Sequence, residues 1–308
     1  MSMAFLSVED LRLSFGDRLV LDGMSFGVGP GEVYGLVGPN GSGKSTTINV
    51  ICDVLRAAEG RVLIDGLANT VVPATTLGVV PQEIGVYRDL TSMQNLQFFA
   101  AIYGLPRVAA RKRAATCLAE VDLADRADSL VSELSGGMQR RLHFAMAQLH
   151  KPALLILDEP TVGLDLDIRH RIWTLIANLR RSGTAILLTT HHLEEAERLC
   201  NRIGIVHRGR VAAEGSLEDL RRLIPAKELA VVESEDSGAV CKRAAELDLV
   251  FRQGHDSTVL WLPERSDIRT VAEMLPGVAL NSVRLKSIGL EEVFAEVIVG
   301  AGETRPGY

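Results

Sequence analysis

The first residues that could do chemistry form a glycine-rich loop. Gly38, Pro39, Asn40, Gly41, Ser42, Gly43, Lys44 and Ser45, followed by Thr46, fit the phosphate-loop pattern G-x-x-x-x-G-K-[ST] in full. Glycines at 38, 41 and 43 let the backbone curl so that successive N–H groups point at phosphate oxygens. A helix beginning near Ser45 adds its positive end. Lys44 places an ammonium between the β- and γ-phosphates, and Ser45 offers a hydroxyl to Mg2+. The bland alternative is a glycine turn with a solvated lysine. It leaves unexplained the apolar strand before the loop and the helix after it.

Two carboxylates form the second cluster. Asp158 and Glu159 end the apolar run Leu154–Leu157, at the strand edge where open α/β sheets bind ligands. Asp158 can hold Mg2+ through water. Glu159 points in a different direction from its neighbour and suits another task, taking a proton from an attacking water. Standing alone, the pair could be solvated loop acids. Beside a phosphate loop, that reading loses its appeal.

These residues need elements to position them. Glu32–Val37 reads as a short apolar strand entering the loop, and Ser45–Leu55 as a helix. Between Leu90 and His150 the apolar spacing turns helical over Met93–Tyr103, Val108–Val121 and Gly136–Leu149. Ala153–Leu157 and Ala185–Thr190 are apolar enough to be buried on both faces of a parallel sheet. Ile168–Arg180 is an amphipathic helix, with Asp167 the expected N-cap. Pro225 marks a candidate boundary. Beyond it the pattern runs strand, helix, strand, strand, helix, strand, with a last helix over Leu290–Val299, which suggests a small ferredoxin-like α+β domain. Residues 301–308 read as a flexible tail.

The 308 residues carry a net charge of −6, which argues against nucleic acid as the main partner. Cys52, Cys117, Cys200 and Cys241 lie far apart and suit buried core positions rather than a metal or redox site. The N-terminal stretch has early acids and no apolar segment of signal-peptide type. No uncharged apolar run approaches the roughly 20 residues of a membrane span, so a membrane role implies another chain for the spans. The basic run Arg107, Arg111, Lys112 and Arg113 reads as a solvated helix face rather than a docking patch.

A third cluster decides the resemblance. Leu134, Ser135, Gly136, Gly137, Met138, Gln139 and Arg140 open a helix, Ser135 as its cap and the glycines baring its first N–H groups to an anion. This resembles the signature motif of ABC-transporter ATPase cassettes, and it lies upstream of the Asp158 strand as that family requires. Other positions then resemble family elements. Gln82 matches the glutamine loop that senses Mg2+ and the nucleophilic water. Asp165, after Gly163 and Leu164, matches the loop that communicates across the dimer. His191 matches the switch histidine that contacts the γ-phosphate. Phe15 sits where the family stacks an aromatic ring on adenine; a core phenylalanine is the alternative. A metal reading of His191 and His192 is weak, because adjacent histidines on an extended chain diverge.

The resemblance implies an α/β fold: a P-loop NTPase ABC cassette over 4–222, with a RecA-like core, an antiparallel β subdomain and a helical subdomain at about 84–150. The ferredoxin-like domain at 226–300 would serve regulation or assembly. ATP and Mg2+ are the implied cofactors. The implied partners are a second copy, bound head to tail, and an integral membrane permease at the cytoplasmic face of the membrane; no nucleic acid is expected. The stretches Leu134–Leu142, Asp89–Gly104 and Gly289–Phe294 resemble ABC-2-type, daunorubicin-resistance-like drug exporters. The expected function is ATP hydrolysis that powers export of a drug-like or lipid-like substrate. Alternatives are an importer ATPase with a regulatory domain, or an ABC-type ATPase of translation or DNA repair.

Overall fold

The computed structural model describes residues 4–300, so the expected flexible tail at 301–308 lies outside the described residues. The chain divides into two compact units, residues 1–214 and 215–308.

The first unit runs β1 (Leu6–Phe15), β2 (Arg18–Val28), β3 (Val33–Val37), α1 (Lys44–Ile51), β4 (Glu59–Ile64), β5 (Leu67–Ala68), β6 (Leu77–Val80), α2 (Ser92–Ile102), α3 (Arg107–Glu120), α4 (Gly136–Ala147), β7 (Leu154–Asp158), α5 (Leu166–Arg181), β8 (Ala185–Thr190), α6 (Leu193–Leu199), β9 (Arg202–His207) and β10 (Arg210–Gly215). Its central sheet has the strand order β10-β9-β3-β8-β7-β6, with β9, β3, β8, β7 and β6 parallel. Strands buried on both faces need apolar residues at every position, and β3, β7 and β8 are buried throughout. Ile156 and Leu187 face one core with Ile48 and Ile51 of α1 and the inner face of β1 and β2. Leu155, Leu157, Ile186 and Leu188 face the other, against Ile172, Trp173 and Ile176 of α5. Each such side chain is worth about 1.5–3 kcal/mol on burial.

A second sheet, ordered β2-β1-β4-β5, is antiparallel. The helical insert has its own core, in which Leu96, Ala114, Leu118 and Leu142 pack together. Thr91 starts α2 with a reciprocal capping box: its hydroxyl accepts from the Gln94 N–H, and the Gln94 side chain accepts from the Thr91 N–H. Arg113 departs from the solvated face expected of its run. Its guanidinium donates to the carbonyls of Gln148 (2.9 Å) and Leu149 (3.1 Å), tying α3 to the end of α4. Cys117 is buried as expected, whereas Cys52, Cys200 and Cys241 are only partly buried; burial pushes the Cys52 thiol up to about 11 and that of Cys117 up to about 12.

The second unit contains α7 (Leu217–Arg221), β11 (Glu228–Ser234), α8 (Ser237–Glu246), β12 (Phe251–Gln253), β13 (Thr258–Leu262), α9 (Ile268–Met274), β14 (Leu280–Lys286) and α10 (Leu290–Gly300). Its sheet has the order β12-β13-β11-β14 with antiparallel neighbours. Val240 and Ala244 of α8 and Val271 of α9 pack with Ala230, Val232 and Leu260 of the sheet. The segment before Pro225 belongs here too, since α7 packs against α10.

Candidate functional site

The wholly buried β3 ends at Val37 and delivers the glycine loop to the sheet's edge. Gly43 has φ +106°, and a Cβ there would stand 2.8 Å from Leu21 Cδ2, so both conformation and space demand glycine. At Gly38 a Cβ would meet the Val206 carbonyl oxygen at 2.6 Å. The first turn of α1 has no side-chain cap, which leaves its N–H groups to an anion. The buried Ser42 Oγ has no hydrogen-bond partner among the described residues. Lys44 is 6% exposed. Its ammonium donates to the carbonyls of Gly38 (2.7 Å) and Pro39 (3.1 Å). Burial lowers the Lys44 pKa, and the neighbouring Glu159 and Asp158 carboxylates oppose that shift.

Strands β7 and β8 place the acids. Asp158 pairs in register with Thr189. The Thr189 hydroxyl donates to Asp158 Oδ1. The Thr189 carbonyl accepts from the Glu159 N–H at 3.0 Å. Glu159 then leaves the strand with φ +50°, left-handed for a residue with a side chain. Such a conformation costs on the order of 1–3 kcal/mol and marks a position held by its surroundings. It aims a carboxylate only 5% exposed. Oε1 stands 3.9 Å from Lys44 Nζ, and Oε2 stands 2.9 Å from His191 Nδ1.

Phe15, Asn40, Lys44, Ser45, Gln82 and Glu159 line one cleft of about 290 Å3. Phe15 is 53% exposed at the end of β1, which removes it from the core. A larger cleft of about 850 Å3, lined by Arg113, Gln148, Lys151 and Leu179, holds none of the motif residues. The expected divergence of His191 and His192 is not observed. Their ring centroids are 4.2 Å apart, because the chain bends between β8 and α6 instead of staying extended. Even so, no group of three or more His, Cys, Asp or Glu able to hold a metal occurs among the described residues.

Ser135 caps α4: its hydroxyl accepts from the Met138 N–H at 3.3 Å. Ser135 and Gly136 are exposed, and a Cβ on Gly136 would meet nothing within 4 Å. None of Ser135, Gly136, Gly137 and Met138 lines the Lys44 cleft of the same chain. The cap of α5 corrects the expectation of Asp167. Asp165 is the N-cap, with Oδ1 accepting from the Ile168 N–H at 2.9 Å, because the helix starts at Leu166.

The roles of two buried residues escaped sequence reasoning. Arg140 of α4 is 4% exposed. Its guanidinium donates to five main-chain carbonyls: Pro81 (2.8 Å), Gln82 (2.9 Å), Asp158 (3.3 Å), Glu159 (2.9 Å) and Pro160 (3.0 Å). The available signal was helical spacing, which puts Arg140 on the stripe of Phe144 and Ala147, both buried. Glu195 was missed as well. It is 1% exposed, and its Oε1 accepts from Thr161 Oγ1 (2.9 Å) and Trp173 Nε1 (3.1 Å), pinning the turn after Glu159 to α5 and α6.

This arrangement suits a nucleoside triphosphate: main-chain donors and an ammonium for phosphates, an exposed ring at the rim, and a buried carboxylate beside an imidazole. Residues 21–162 match the ABC transporter family. The linearmycin resistance ATP-binding protein LnrL of Bacillus subtilis (strain 168) is 41% identical over 218 residues, covering 70% of each chain. The Nod factor export ATP-binding protein I of Burkholderia pseudomallei (strain 1710b) is 42% identical over 222 residues, 70% of this chain and 72% of that protein. A solved ATP-binding subunit of an ABC transporter superposes with TM-score 0.66 at 35% identity, over 71% of this chain and 92% of the other. A dimeric cassette in a post-hydrolysis state with ADP and Pi matches with TM-score 0.62 at 26% identity, over 68% and 98%.

Proposed function

The chain belongs to the ABC transporter family as an ATP-binding subunit, and from that premise we propose that it hydrolyses ATP to power export of a drug-like or lipid-like substrate through a separate membrane subunit. The carrying observation is the convergence of Lys44, Gln82 and Glu159 on one cleft, with His191 against the same Glu159 carboxylate. The names of the relatives, linearmycin resistance and Nod factor export, support export over import.

In this reading the loop from Gly38 to Thr46 binds the phosphates and Phe15 stacks on the adenine. Ser45, Gln82 and Asp158 offer hard oxygen donors, a set that fits Mg2+ completed by water and nucleotide phosphates. Bound there, the ion would neutralise phosphate charge. Glu159 takes the proton of the attacking water, and His191 orients that carboxylate and reaches the γ-phosphate.

Ser135 to Met138 bind the nucleotide held by a second copy, head to tail. The dimeric solved relative supports this arrangement. ATP favours the closed dimer and its products do not, and that difference in affinity drives the permease. Asp165 communicates across the dimer. The assembly sits at the cytoplasmic face of the membrane, with the spans in the permease. Among the described residues, no helix of this chain is long and apolar enough to cross a membrane.

The test is phosphate release by purified protein with ATP and Mg2+, repeated with chelator and with Lys44→Ala. Hydrolysis that needs both the ion and the lysine supports the reading. No magnesium-dependent hydrolysis by the unaltered protein would sink it.

A further inference from the structure

We propose that Arg140 is a positioning residue that couples the two ATP sites of the dimer. Helix α4 has two ends of interest. Its N-terminal turn, capped by Ser135, is exposed. Arg140 follows five residues later, about 7.5 Å along the helix axis. There its guanidinium is buried, and its five N–H donors are matched by five carbonyl acceptors. Two belong to the irregular chain that carries Gln82, beyond the end of β6. Three belong to the end of β7 and the turn after it, which carry Asp158 and Glu159.

The inference rests on the head-to-tail dimer proposed above. In it, the nucleotide of one copy meets Ser135 of the other. Any shift of α4 on meeting that nucleotide is carried by a short rigid helix to Arg140. Arg140 then moves or steadies the carbonyls of Gln82 and Glu159, and with them the side chains that handle water in its own site. Engagement at one ATP thereby reports to the catalytic carboxylate beside the other. A buried arginine held by carbonyls alone is well suited to this. It fixes two segments through their main chains and leaves their side chains free for chemistry. A lysine has three donors and no planar fork, so it cannot satisfy the same set.

The experiment compares wild type with Arg140→Lys and Arg140→Gln in phosphate release across ATP concentration. A fluorescent ATP analogue measures binding to the monomer. The same substitutions in a Glu159→Gln background report the ATP-dependent dimer by size exclusion. We expect monomer affinity within about twofold of wild type and an intact ATP dimer, while turnover at saturating ATP falls about tenfold or more and the Hill coefficient drops toward one.

Wild-type turnover and Hill coefficient in Arg140→Lys would overturn the proposal. So would a wild type that hydrolyses ATP without cooperativity. Joint loss of ATP binding and dimer in both variants would show that Arg140 merely holds the fold, which also overturns it. A wild type without magnesium-dependent hydrolysis would remove the ATPase reading itself, and this inference with it.

Discussion

Glu159 Oε2 stands 2.9 Å from His191 Nδ1, although 31 residues separate them in the chain between the ends of two adjacent parallel strands. The other oxygen of the same carboxylate faces Lys44 Nζ at 3.9 Å. One buried acid is therefore held between an imidazole just past the end of β8 and an ammonium from the first turn of α1.

That arrangement makes Glu159→Gln informative. The amide keeps the shape and loses the proton acceptor. ATP binding is expected to persist and a closed dimer to accumulate, with hydrolysis down by about 10²–10⁴. Size exclusion with ATP and a phosphate-release assay read both. Near-normal turnover would refute Glu159 as the base.

Ser135→Arg tests the clamp. The exposed helix start accepts a large cation without disturbing the Lys44 cleft, which Ser135 does not line. Monomer ATP binding should match wild type, and both hydrolysis and ATP-dependent dimerisation should be lost. Surviving activity would mean the clamp is built elsewhere.

Asp165 has a visible structural duty, capping α5. Asp165→Ala is expected to cost about 0.5–2 kcal/mol of stability, while Asp165→Asn, an equally good cap, should cost little. Denaturant unfolding reads this difference. If communication across the dimer needs the carboxylate, Asp165→Asn will hydrolyse ATP more slowly at unchanged stability. Full activity in that variant would confine Asp165 to its cap.

His143 sets a pH limit. Burial, helped by the nearby Arg140 charge, pushes its pKa from 6.5 down to about 4. It is neutral in the fold and protonates first in the unfolded chain. The unfolded state thus binds more protons between those values, and stability falls as pH drops through that window, by about 3 kcal/mol in all. From about pH 7 to about pH 5, wild type should lose about 2 kcal/mol more than His143→Asn in guanidinium unfolding. Parallel losses in the two proteins would discount His143.

Local features were legible in the sequence. The phosphate loop, its flanking strand and helix, and the Ser135 cap are each written within about a dozen residues, where periodicity and turn chemistry operate. What escaped was non-local. Arg140 looks like one more charge in a helical stretch until residues up to 59 positions away bring their carbonyls to it. The cap of α5 was misplaced by two residues because Asp165 and Asp167 are equally good candidates on composition, and only the path of the chain after Gly163 separates them. The rings of His191 and His192 approach each other for the same reason: the backbone bends where an extended chain would make them diverge. Phe15 shows the reverse case: it is the last residue of β1, and its ring is exposed there rather than buried in the core, the alternative that the sequence left open.

The left-handed backbone at Glu159 gives this site a direction of decay. Glycine or asparagine fits that geometry better than glutamate does. Replacements that relax the turn would therefore give a sturdier protein that no longer turns over. A screen for thermal robustness alone would tend to enrich inert cassettes at this codon, so heat resistance and turnover must be selected together in any laboratory evolution of this chain.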